Sequence, residues 1–152
     1  MLRVLLAGIH LLALAMGLGG VWVRARALGR IGPTADAARL GTVFTADAFW
    51  GVAALLWLGT GLARWLMGTE KARGYYPSNH FFLAKMGLFV VILLLELRPI
   101  VALTRWRREA ARGMVDTAAA RHLGIISHIE AAIVVVMVFL ASLMARGYGV
   151  VT

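Results

Sequence analysis

The chain has no cysteine, which excludes disulfides, thiolate nucleophiles, iron–sulfur clusters and Cys-ligated zinc. Acidic residues are scarce, with seven Asp and Glu against sixteen Lys and Arg, and only 15% of the 152 residues are charged. A soluble domain carries about 25%. What is there instead is apolar: 61% of residues are hydrophobic, mean hydropathy is +0.83, and the apolar residues gather in long runs. This composition belongs to an integral membrane protein. The net charge of +9 therefore points to loops lying against anionic lipid headgroups, and no nucleic-acid module accompanies it. No phosphate-binding loop is present, and His122 and His128, six apart, fall on opposed helix faces, so metal-site spacing is absent too.

Four apolar runs, Val4–Val23, Ala48–Leu66, Phe81–Leu97 and Ile125–Met144, each approach the roughly 17–25 residues a bilayer requires. The expected fold is an all-α integral membrane protein, a single domain over 1–152 built as an up-and-down four-helix bundle. The first run follows Arg3 as a signal peptide would, but it lacks a small-residue cleavage site, so it reads as a retained helix. Arg24, Arg26, Arg30 and Arg39 follow span one, and Arg98, Arg105, Arg107, Arg108, Arg112 and Arg121 follow span three. Against these ten, the other side has Arg3, Arg64, Lys71, Arg73 and Arg146, which places both termini outside and the arginine-rich loops in the cytoplasm. Thr-Ala-Asp-Ala occurs at 34–37 and at 45–48, and each is a helix-start signal; Asp47 is expected to cap the first turn of span two, and Ser78 or Asn79 to cap span three. Ala13 with Gly17 and Ala15 with Gly19 allow close helix contact.

Ionisable groups at membrane depth each need a partner or a task. His10 and Lys85 lie about five or six residues in from the outer ends of spans one and three and share a layer. Glu96, His128 and Glu130 form a second layer facing the cytoplasm, in which Glu96 is expected to pair with Arg98 or Arg24. At about 100° per residue, Lys85, Leu88, Ile92 and Glu96 form one stripe, and His10, Gly17, Val21 and Arg24 another. A glycine on the stripe of an intramembrane histidine leaves room for a flat macrocycle. The expectation is haem b, with His10 ligating the iron, Gly17 lining the slot and Lys85 near a propionate or the second axial position. Helix packing is the plainer use of the same glycine. His128 lies about 15 Å from His10 in depth and cannot share its iron. His80 suits the interface, and the Trp50, Trp57 and Arg64 stripe suits packing and anchoring.

The segment Phe81-Phe82-Leu83-Ala84-Lys85-Met86-Gly87-Leu88-Phe89, with Leu94-Leu95-Glu96-Leu97-Arg98-Pro99, Trp106-Arg107-Arg108 and the ending Met144-Ala145-Arg146-Gly147-Tyr148, resembles a family of four-helix bacterial membrane proteins of unknown function. More distantly, the plan resembles the haem-binding protoporphyrinogen oxidase family and the copper-resistance membrane domains, which place a His early in span one and Ala-Lys near the start of span three. The resemblance implies His10 as a haem ligand; Leu83 stands where the oxidase family has a second His. It also implies a bacterial inner membrane location. Two functions follow as expectations: haem b electron transfer or membrane redox chemistry, with quinone a candidate acceptor, or a non-enzymatic accessory subunit packed against a larger membrane complex. A proton pathway through Lys85, Glu96 and Glu130 lacks the broken helices and inverted repeats of transporters.

Overall fold

The computed structural model describes residues 1–68, 71 and 73–149. Four helices carry the chain: α1 (Leu2–Leu28), α2 (Ala37–Leu66), α3 (His80–Ala110) and α4 (Ala120–Ala145), all long and apolar enough to cross a membrane. Their large side chains face outward in numbers no aqueous protein tolerates, Leu12, Leu55, Val101 and Phe139 among them, as a hydrocarbon solvent requires. A short 3₁₀ turn, Arg73–Tyr75, precedes α3.

All four helices are longer than their apolar runs, because hydropathy marks where a helix meets lipid and backbone hydrogen bonding continues past that point. α2 begins at Ala37, capped by Asp36, whose carboxylate accepts from the Arg39 N–H at 2.9 Å. The helix start expected at 34–37 is thus in place, whereas Thr45–Ala48 lies inside α2 and starts nothing. Asp47 is consequently not a cap. α3 is capped by Asn79, which accepts from the N–H groups of Phe81 and Phe82, and it runs through Pro99 to Ala110. The loops at the arginine-rich end meet in a two-residue antiparallel ribbon of β1 (Thr34–Ala35) and β2 (Val115–Asp116), with the Thr117 N–H donating to Pro33 O. Leu28, Leu40, Leu103, Trp106 and Val115 bury themselves beneath this ribbon, so a small water-soluble style of core caps one end of the bundle.

The packing order round the bundle is α2, α1, α4, α3. α1 seats tightly on α2: a Cβ on Gly20 would lie 3.0 Å from the Trp50 N and 3.1 Å from the Ala46 O. A Cβ on Gly124 of α4 would lie 3.2 Å from the Ala25 carbonyl oxygen of α1, a slightly looser approach. The small-residue contact uses Ala13, Gly17 and Gly20; Ala15 and Gly19 face away from it. α2 and α3 close the circle only loosely, and their backbones stay apart over most of their length. Side chains bridge this seam, by Trp57 on Phe89 and Trp65 on Phe82 toward one end, and by Arg107 on Asp47 at the arginine-rich end.

Candidate functional site

Among the described residues two polar centres lie within the bundle, one in each half. The first is built on Arg24, which the count of loop charges placed after span one. It sits within α1 instead, wholly buried, and it reaches all three other helices. Its Nε donates to Ser127 Oγ at 3.0 Å; NH1 donates to Asp47 and Glu96, and NH2 to Glu96 and Glu130, all at 2.7 Å. Every N–H of the guanidinium is used, with a bidentate grip on Glu96. Asp47, in mid-helix on α2, bridges onward to Arg107 NH2 at 2.8 Å. The expected pairing of Glu96 is thus with Arg24, while Arg98 lies at the surface beside His122. His128 stays outside the network: its Nδ1 donates to the Gly124 carbonyl and its ring packs edge-on against Trp22. A fork of five donors facing carboxylates on three helices fixes which face of each helix points inward. This is a structural centre.

The second centre is a cleft in the opposite half, at the seam between α2 and α3. Its walls are Trp57, Gly61 and Trp65 of α2 against Phe82, Lys85 and Phe89 of α3, with His10 of α1 and Met137 of α4 behind. The inner chamber holds about 70 Å³, and an adjoining one of about 170 Å³ extends toward Lys71, Tyr75 and Met144. Leu58 and Leu62, which also border the inner chamber, are among the side chains exposed on the lipid-facing surface. His10 and Lys85, expected to share a layer, line this one cleft together. His10 is held by a 2.8 Å hydrogen bond from Nδ1 to Thr60 Oγ1 and lies against the Trp57 ring, 5.7 Å between centroids. Lys85 makes no hydrogen bond or ion pair among the described residues, and neither does the buried Trp57 Nε1.

Gly17 does not belong to this cleft. A Cβ there would lie 3.2 Å from Ala53 Cβ and 3.5 Å from the Trp50 ring, so α2 already fills the face where a macrocycle was expected. Trp50 in turn packs between Gly17 and the Arg24 guanidinium, 6.0 Å from its ring centre. The two chambers beside His10, about 70 and 170 Å³, also stay below the roughly 300–1,000 Å³ of sites that enclose a drug-sized ligand. In this arrangement the residues do not fit a porphyrin. Among the described residues no group of three or more His, Asp or Glu side chains is placed to hold a metal ion. Thr60 and the Trp57 indole N–H went unread in the sequence. A hydroxyl inside an apolar span, three residues from a Trp and opposite a His, was the available signal.

Fold and centres together define a four-helix membrane protein with a buried arginine hub and a lipid-facing aromatic cleft. Over residues 2–149 the chain matches the predicted membrane protein family DUF2214, and it belongs to that family. No curated protein and no solved structure matches it.

Proposed function

We propose that this protein binds an amphiphile taken from the bilayer, whose oxygen-bearing head enters the cleft between α2 and α3 while its apolar tail stays in lipid. One observation carries the reading: the Trp57 N–H, buried without an acceptor among the described residues, and the partly buried Lys85 ammonium, which makes no hydrogen bond or ion pair among them, line one small chamber with aromatic walls. Unsatisfied donors at membrane depth cost several kcal/mol each on partition scales, and an acceptor oxygen from a ligand removes that cost. The chamber of about 70 Å³ admits a head of a few atoms, and together with the adjoining one of about 170 Å³ the cleft has room for one ring, since a cavity of about 150 Å³ binds benzene. The arginine bias supports placing both termini outside a bacterial inner membrane, with the cleft in the outer half.

Decanoate added to the protein in nanodiscs tests this, read by tryptophan fluorescence. Saturable binding is expected, weakened at least tenfold by Lys85→Met and by Trp57→Phe. Equal binding by wild type and both variants would reduce the response to partition into lipid and overturn the reading. The haem b reading keeps one observation in its favour, because Thr60 holds the His10 Nδ1 and orients the ring as a ligand histidine is usually oriented. An absorption spectrum of the same preparation distinguishes the two: a Soret band lost in His10→Ala would restore haem.

A further inference from the structure

The hydrogen bonds around Thr60 fix more than the position of His10. Thr60 Oγ1 lies 2.6 Å from the Leu56 carbonyl oxygen, a separation two oxygens hold only with a proton between them, so the single hydroxyl proton is spent there. The same Oγ1 lies 2.8 Å from His10 Nδ1, which must therefore be the donor. In the neutral imidazole Nε2 is left as a lone-pair acceptor, and it makes no hydrogen bond among the described residues. The cleft thus sets one acceptor, His10 Nε2, in the same lining as two donors, Trp57 Nε1 and Lys85 Nζ. Trp106 Nε1 is also buried without a partner among the described residues, but it sits in the packed core under the ribbon, whereas Trp57 borders open space.

A carboxylate head answers the two donors and offers nothing to Nε2. A hydroxyl answers the acceptor as well as a donor, because its oxygen accepts while its own proton is donated. The walls add a second requirement, since Trp57, Trp65, Phe82 and Phe89 surround the chamber with ring faces and edges that favour another ring. We infer that the cleft takes a hydroxyaromatic amphiphile of the phenol or quinol class, its hydroxyl donating to His10 Nε2 and accepting from Lys85 or Trp57. This rests on the binding reading above and names the chemistry of the head.

The test uses three decyl-chain probes on the full-length protein in nanodiscs: decyl-hydroquinone, its dimethyl ether and decanoate. Hydroquinone is expected to bind at least tenfold tighter than its ether, because methylation removes the donated proton and leaves the ring. His10→Ala should abolish that difference by weakening the hydroquinone alone. Should His10→Ala fail to fold, Thr60→Val serves instead: it frees the ring from the Nδ1–H tautomer and should narrow the same ratio. Nitrogen-15 spectra of the wild type should show His10 Nε2 unprotonated, with its resonance shifting on hydroquinone and not on the ether. Hydroquinone and ether binding equally while decanoate still binds would overturn this inference and leave the binding reading standing. No saturable binding of any of the three would overturn both.

Discussion

A guanidinium that reaches every other helix puts much of the specificity of this bundle into one residue. Arg24 is 0% exposed and Asp47, Glu96 and Glu130 are 14%, 13% and 0% exposed, so the carboxylates have almost no access to water if the cation is removed. Arg24→Ala is therefore expected to cost about 3–5 kcal/mol, the range for breaking a buried pair by deleting one partner. Arg24→Lys should recover only part of this, since an ammonium has three donors at a point where the fork uses five N–H groups. Thermal unfolding in detergent, followed by circular dichroism, measures both. A loss under about 1 kcal/mol for Arg24→Ala would remove the hub from the account of stability. Of this centre, the sequence showed the acids at the right depth and named Arg24 as one of two partners for Glu96. It hid Asp47, because four letters at 45–48 copy a real helix start at 34–37, and local capping chemistry cannot tell an N-terminus from a helix interior that happens to be polar.

Between helices, the closest approach is set by one glycine rather than by the stripe that periodicity suggested. Backbone atoms of α2 lie at 3.0 and 3.1 Å from a Cβ on Gly20 and cannot rotate aside, whereas a Cβ on Gly19 meets nothing within 4 Å. Gly20→Ala is expected to destabilise the bundle by about 1–3 kcal/mol through forced separation of α1 and α2. Gly19→Ala, on the lipid side of the same turn, should be neutral or slightly stabilising because alanine is the better helix former. Paired melting curves decide it, and equal effects would mean that the α1–α2 contact gives way freely. Spacing within one helix placed His10, Gly17, Val21 and Arg24 on a common face correctly. It could not say that Trp50 and Ala53 of α2 would occupy that face, which is why Gly17 read as a slot and proved to be a seat.

For the whole molecule, four spans and their approximate depth were legible because apolar length is a local property. The seam between α2 and α3 was not, because it depends on how closely neighbouring helices pack, which an up-and-down bundle leaves open. The ribbon of β1 and β2 was equally hidden, since two residues a side carry no pattern. Moving Arg24 from the loops into the membrane still leaves nine basic residues toward one end against five at the other, so the orientation argument survives with a narrower margin. A reporter active only outside the cytoplasm, fused after Thr152, is expected to be active. A cytoplasmic signal there would invert the bundle and open the cleft to the other leaflet.

The spread of the Arg24 partners along the chain has a chronological meaning as well. They stand 23, 72 and 106 residues after it, one carboxylate on each later helix. Chains are made from the N-terminus, so α1 is delivered to the membrane before any of its counter-charges exist. Arg24 lies in the last two turns of α1, near the arginine-rich end, where its long side chain can reach toward the membrane surface until Asp47 arrives. Glu96 then adds its two-pronged grip, and Glu130 with Ser127 completes the set only when α4 is in place. A nascent chain interrupted before residue 127 retains a guanidinium with donors still to fill, so one side chain records whether synthesis has reached α4.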